Sequence, residues 1–149
     1  MDKKLVHYAF VELLASRITQ CEAVLADIGH SSQSETKSSA GDKYETSREM
    51  LQQEENKVNQ QLEKLYFQKK ELRSIRDVGA IDQVGWGSLV ATDKGTFYIS
   101  TSLGKVDLPQ EGMIYAISKV SPMAMALFGK RVGDQAMLMD RRVNILTLF

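Results

Sequence analysis

The sequence predicts an α+β protein: an antiparallel coiled-coil helical hairpin over residues 1–77, then a small antiparallel β domain with one short helix over residues 78–149. Three observations predict it. Apolar residues recur at helical spacing through the first half, the chain changes character near Asp77-Val78-Gly79, and the second half alternates short β-branched runs with turn signals. Before the change glycine occurs only at Gly29 and Gly41 and proline not at all; eight glycines and both prolines follow.

In the first half Leu14, Ile18, Cys21, Leu25 and Ile28 recur at alternating spacings of four and three, the seam of a helix packed on one partner. Gly29 and the polar run from His30 to Ala40 weaken the pattern. It resumes from Thr46, with Leu51, Val58, Leu65 and Leu72 a heptad apart, Leu62 on the same side, and Glu55 and Lys69 at the intervening seam positions. A helix from Thr46 to Arg76 would be roughly 45 Å long, and its single apolar stripe needs a partner. The first helix is the nearest, and the short polar connection makes the pair antiparallel. The hairpin tip is expected between His30 and Glu45, in a monomer; homodimerisation through the same stripe is the alternative.

The second half is punctuated. A strand from Ser88 to Thr92 precedes Asp93-Lys94-Gly95, a hairpin signal, and a strand from Thr96 to Ser102. Leu103-Gly104-Lys105 turns the chain, and Pro109 to Gly112 bounds the strand from Met113 to Ser118. Ser121-Pro122 opens a helix as N-cap and first helical residue, Met123, Ala126 and Leu127 give it an apolar face, and Gly129 ends it. Gly133-Asp134 leads into a last pair of strands that finishes Val143 to Phe149.

Bulk properties narrow the function. With 19 basic and 19 acidic residues, the chain offers no global polycation for gripping nucleic acid. The single cysteine, Cys21, rules out an internal disulfide and a cysteine-based zinc cluster, and suits a reducing cytosol. Lys3 and Lys4 before an apolar stretch resemble the start of a signal peptide, but His7 and Glu12 interrupt the run. No apolar run reaches the roughly 18 residues of a membrane span, so a cytoplasmic protein without membrane partners is expected.

Among candidate sites, Asp42 and Glu45 stand out, two acids one helical turn apart where the hairpin turns. One reading is a capping box, with Asp42 accepting a backbone hydrogen bond and Glu45 reaching back; Thr46 with Glu49 offers an overlapping box one turn later. The other reading is metal binding. One or two carboxylates are the usual protein share of a Mg²⁺ site, so a site built on these two would be completed by a macromolecule already carrying metal and phosphate. Lys37, Lys43 and Arg48 add positive charge around the tip, either solvated or holding phosphates of a nucleic-acid end. His7 and His30 lack companions, Cys21 reads as an apolar filler, Met123 and Met125 as packing, and Trp86 between Gly85 and Gly87 as an anchor at the domain junction. No phosphate loop, nucleotide fingerprint or serine-hydrolase elbow occurs.

Together the two halves resemble the bacterial Gre-type transcript cleavage factors. Gly41-Asp42-Lys43-Tyr44-Glu45 looks like that family's Gly-Asp-x-x-Glu. Ser121-Pro122-Met123-Ala124-Met125-Ala126-Leu127-Phe128-Gly129-Lys130, followed by Val132-Gly133-Asp134, is similar to its Ser-Pro-x-x-x-Ala-Leu-x-Gly-Lys with a trailing Gly-Asp, and Tyr115-Ala116-Ile117-Ser118 fits before it. The resemblance implies an FKBP-like C-terminal domain, without implying isomerase activity. It further implies a hairpin that enters the secondary channel of bacterial RNA polymerase and meets the RNA 3′ end there. By the same resemblance Asp42 and Glu45 help bind a Mg²⁺ ion jointly with the polymerase, and the chain is an activator of the polymerase's own RNA hydrolysis rather than an enzyme. Ser121, Pro122, Gly129 and Lys130 belong to the matching motif, as polymerase contacts or as supports of the fold. The chain departs from the family at the tip, where Lys43 stands for a common leucine, Tyr44 for a small or polar residue, and Thr46-Ser47-Arg48-Glu49 for Asn followed by Ala-Glu-Tyr. A channel-binding regulator that does not stimulate cleavage is therefore the alternative, and a self-associating coiled-coil adaptor is a further one.

Overall fold

The structure is a computed structural model that describes residues 1–35, 41–76 and 82–149, with residues 34, 35 and 41–44 described in backbone only. Two long helices, α1 (Lys3–Glu35) and α2 (Gly41–Ser74), precede six strands, β1 (Leu89–Thr92), β2 (Gly95–Ser100), β3 (Gly104–Leu108), β4 (Gly112–Ser118), β5 (Gln135–Leu138) and β6 (Arg141–Leu148), with a short helix α3 (Pro122–Leu127) between β4 and β5. The chain divides into two compact units, one formed by Leu13–Phe67 and the other by Met1–Glu12 together with Gln68–Phe149. The composition change near Asp77 lies outside the described residues.

The first unit is an antiparallel helix pair. The Tyr66 hydroxyl donates to Glu22 Oε1 at 2.7 Å, while Ser31 shares a surface depression with Ser47, Met50, Leu51 and Glu54. Contacts thus run in opposite order along the two helices. Leu14, Ile18, Cys21 and Ile28 are buried as the spacing predicts, with Leu25 half-buried; Leu62 and Leu65 answer them from α2. Two expectations change. The chain is already helical from Gly41 through Glu45, so Thr46 is an interior helical residue and not a cap. Gln68 rather than Lys69 takes the buried position between Leu65 and Leu72. An amide whose Nε2 donates to the Ser102 carbonyl at 2.7 Å is satisfied there, whereas a lysine ammonium would be stripped of water.

The second unit is one six-stranded sheet in the order β3-β4-β2-β1-β6-β5. It is mixed rather than wholly antiparallel, because β2 and β4 pair in parallel from Thr96↔Ile114 to Ser100↔Ser118. The cause is β3, where the sequence suggested only a turn at Leu103-Gly104-Lys105. β3 pairs antiparallel with β4 at the sheet edge, so the chain leaves β2, runs out to the edge and returns between the two. An edge strand with mostly exposed or half-buried side chains carries little hydrophobic alternation, and hence little signal.

Both faces of the sheet are covered within this unit. On one, Val90, Phe97, Ile99, Val143 and Ile145 pack with Ala124 and Leu127 of α3. On the other, Tyr98 meets the first turns of α1: its ring stacks on Phe10 at 5.7 Å, and its hydroxyl lies 2.6 Å from His7 Nδ1. His7 therefore has a companion that the sequence did not reveal. Burial pushes the Tyr98 pKa well up, so the group stays a neutral phenol. Glu71 of α2 accepts a hydrogen bond from the Thr101 hydroxyl, tying the end of α2 to the same unit. Gly87 shows how closely the elements approach. Its φ is +82°, and a Cβ there would lie 2.6 Å from Ile75 Cγ2. Trp86 packs half-buried against the sheet core with the Lys119 ammonium 5.5 Å over its ring, so it is an internal support of the sheet unit. Met123 packs against that core, but Met125 is exposed.

The β1–β2 turn is tied to β6 by Asp93, whose carboxylate accepts the Asn144 backbone N–H at 2.9 Å and Asn144 Nδ2 at 3.0 Å. The backbone bond first, with help from the Asn144 amide and Lys94, holds the Asp93 pKa below its ordinary 3.8. A carboxylate depressed in the folded state contributes stability above its unfolded pKa and loses it as pH falls through the folded value. Thermal unfolding followed from neutral pH to below 3.8 should therefore show an acid loss that Asp93→Asn makes shallower.

Candidate functional site

α2 opens at Gly41, which places Asp42 and Glu45 inside its first two turns, three residues apart. Residues three or four apart are neighbours on a helix surface. Glu49 follows at the next turn of the same face, and the structure places Glu45, Arg48, Glu49 and Gln52 around one shallow depression of about 270 Å³. Glu45 and Arg48 are exposed. Asp42 and Lys43 are described in backbone only, and Lys37 lies outside the described residues. Sequence reasoning treated Glu49 as a capping partner of Thr46; with the helix beginning at Gly41 it becomes a third acidic position beside Glu45, readable from the 42–45–49 spacing once the start of the helix is known.

Among the described residues no group of three or more His, Cys, Asp or Glu side chains converges to hold a metal. The described donors at this end of α2, the Glu45 and Glu49 carboxylates, are hard oxygen ligands open to solvent. Exposed carboxylates of this kind are chemically suited to Mg²⁺, but two of them make only part of a ligand set. Asp42 and Glu45 also precede the bulk of the helix, where the positive end of the macrodipole favours negative charge.

The second motif is built around α3. Ser121 is extended (φ −69°, ψ 148°), its Oγ accepts the Ala124 N–H at 3.2 Å, and Pro122 follows as the first helical residue. After six residues the helix stops, and Gly129 turns away at φ +75°, a conformation in which any other residue is strained. Gly129 N–H donates to the Val84 carbonyl at 2.8 Å, and Val84 N–H to the Lys130 carbonyl at 2.8 Å. The Gly129-Lys130 pair thereby clamps a segment whose side chain is buried in the sheet core. Asp134 closes the following turn through the Arg131 N–H at 2.7 Å. Ser121, Pro122, Gly129 and Lys130 are thus brought together as the two ends of α3, and each has a structural task. Ser121→Ala should lower unfolding free energy by about 1 kcal/mol, the usual worth of a serine N-cap, measured by urea denaturation.

No helix among the described residues is long and apolar enough to cross a membrane. No family model matches the chain, and no curated protein does. Among solved structures, the chain is similar to GreA factor homolog 1 (Gfh1) of Thermus thermophilus, at 22% identity over 93% of this chain and 94% of that one, with a TM-score of 0.37. A second structure, of the transcription factor Gfh1, matches at 23% identity over 93% of this chain and 92% of that one, also with a TM-score of 0.37. Superpositions this loose carry no argument about activity or partners, which rest on the chain's own residues.

Proposed function

We propose that this chain is a transcription elongation factor that binds bacterial RNA polymerase, inserts the turn of its helical hairpin into the secondary channel and stimulates the polymerase's intrinsic cleavage of backtracked transcripts. The observation that carries the proposal is Gly41-Asp42-x-x-Glu45 opening a 34-residue helix with Glu45 exposed, at the turn of an antiparallel helix pair. Its support is the second motif in the same chain, the Ser121-capped α3 closed by Gly129-Lys130.

Asp42 and Glu45 would offer carboxylate oxygens to a Mg²⁺ ion held jointly with the polymerase. When bound, such an ion supplies Lewis-acid stabilisation and orients a water for in-line attack on a phosphodiester. The chain's own part is to bring negative oxygen donors to the RNA 3′ end on a rigid helix, while Arg48, Lys43 and Lys37 steer the phosphates. It is an activator of hydrolysis performed by the polymerase, not a hydrolase alone. Lys43, Tyr44 and Thr46, where the chain departs from the resembling family, favour a second reading in which the hairpin occupies the channel and regulates without cleavage.

The test is transcript cleavage in stalled, backtracked elongation complexes with Mg²⁺. Faster shortening of the transcript with added protein is expected. Competition with a channel-binding factor but no shortening would select the second reading, and neither effect would remove both.

A further inference from the structure

β3 is an outer strand of the sheet, and among the described residues β4 is its one neighbouring strand. Its other side presents backbone N–H and C=O groups to which a further strand can add. Along β3, Lys105 and Asp107 are exposed while Val106 and Leu108 are half-buried. Strand alternation sets Lys105 and Asp107 on one face and Gly104, Val106 and Leu108 on the other. The ladder identifies those faces. Lys105 and Asp107 stand opposite Tyr115 and Met113, on the side where Tyr115 packs with α3; Val106 stands opposite Ile114, on the side of Tyr98 and α1. Among the described residues neither Lys105 nor Asp107 forms an ion pair.

A charged residue on an edge strand ordinarily guards it against strand addition. Here the sequence cancels its own guard. Charges of opposite sign lie on one face, placed symmetrically about Val106. If β3 of a second copy pairs antiparallel and centred on Val106, Lys105 faces the second copy's Asp107, and Asp107 its Lys105. Centring the pair on Lys105 or on Asp107 sets like charges opposite each other, as does a parallel pairing in register. Residues directly opposite on a sheet attract when oppositely charged and repel when alike, so the charges select the Val106 register. In it all of Gly104–Leu108 is paired, with Val106 on Val106 and Leu108 beside the exposed, side-chain-free Gly104. At the end of the same strand Leu5, Ala9, Leu108 and Pro109 line an apolar hollow of about 270 Å³, with Leu5 52% exposed, which a copy along this edge would shield from water. We infer that the β3 edge is a self-recognition surface, on which two copies of this chain join antiparallel about a twofold axis through Val106 into one continuous sheet. An isologous contact of this kind closes on itself, so assembly stops at two copies. Two short strands bury less than the roughly 1,200 Å² of a stable interface, so the dimer is weak and forms at high micromolar concentration. The surface is independent of Asp42 and Glu45 and of the proposed function.

The test is sedimentation equilibrium of the full chain from low micromolar to millimolar concentration. The mass should rise from the 16.7 kDa monomer towards twice that value. Lys105→Asp and Asp107→Lys, each alone, should weaken association by about tenfold or more, because each sets like charges opposite at two places. Both positions are exposed on an edge strand, and an unchanged amide spectrum confirms the fold of each variant. Mixing the two single variants should restore association as a heterodimer, since every facing pair is then of opposite sign. The double variant carrying both changes should associate like the unaltered chain, its pairs merely reversed. A mass that stays at the monomer up to millimolar concentration would overturn the inference. So would association that neither single variant weakens, which would place the contact elsewhere, such as on the helical stripe. Single variants that fail to recover when mixed, or a mass that climbs past the dimer, would overturn it equally.

Discussion

Asp42→Asn combined with Glu45→Gln should abolish stimulated transcript cleavage, a loss on the order of a hundredfold or more in rate, while polymerase binding stays within a few-fold. The amides keep the size and helix position of the acids but cannot supply anionic oxygen, so the loss falls on the step that needs charge. α2 begins at Gly41, with both acids inside the helix, and removing negative charge from its first turns costs only about 0.3–1 kcal/mol through the macrodipole. Unfolding measured on the same double variant separates the roles. Lost cleavage with near-unchanged stability is the expected pattern; equal loss of binding and cleavage would assign the acids to docking instead. Glu49→Gln, on the same face, should reduce stimulation less, because it lies a full turn beyond Glu45.

Phe10→Ala should lower unfolding free energy by about 3–5 kcal/mol, the range for truncating a buried aromatic. Phe10 is fully buried and stacked on Tyr98, which is itself fully buried. The variant reports on whether the first turns of α1 belong to the sheet unit. Urea unfolding is the measurement, with Tyr8→Ala, 64% exposed, as the control expected to change stability by less than about 0.5 kcal/mol. An equally small change at Phe10 would mean that α1 does not cover the sheet. Tyr98→Phe is a milder probe that keeps the stacked ring and removes the hydroxyl 2.6 Å from His7 Nδ1.

Local patterns and long-range arrangement differ in how far the sequence discloses them. The seam at Leu14, Ile18, Cys21 and Ile28 was legible because helix periodicity is a local property of one stripe, and Ser121, Pro122 and Gly129 were legible because each is the residue type that its capping position demands. β3 was not, since an edge strand pairs on one side and buries little. The parallel β2–β4 pairing was invisible for the same reason, being created by where β3 goes. Nothing in the spacing of His7 and Phe10 says that they meet a sheet residue some ninety positions later; that is fixed by tertiary packing around Tyr98. At the acidic site the residue types were readable and the helix start was not. Thr46 and Asp42 are both acceptable N-caps by composition, and both lie within the helix.

The most direct measurement replaces Mg²⁺ with Fe²⁺ in backtracked elongation complexes and maps where hydroxyl radicals generated at the polymerase active centre cut this chain. Cuts within a few residues of Asp42 and Glu45, competed away by Mg²⁺, are the predicted result. Cuts confined to the residues of the sheet, or no cuts while the protein is bound, would contradict the delivery of these two acids to the metal centre.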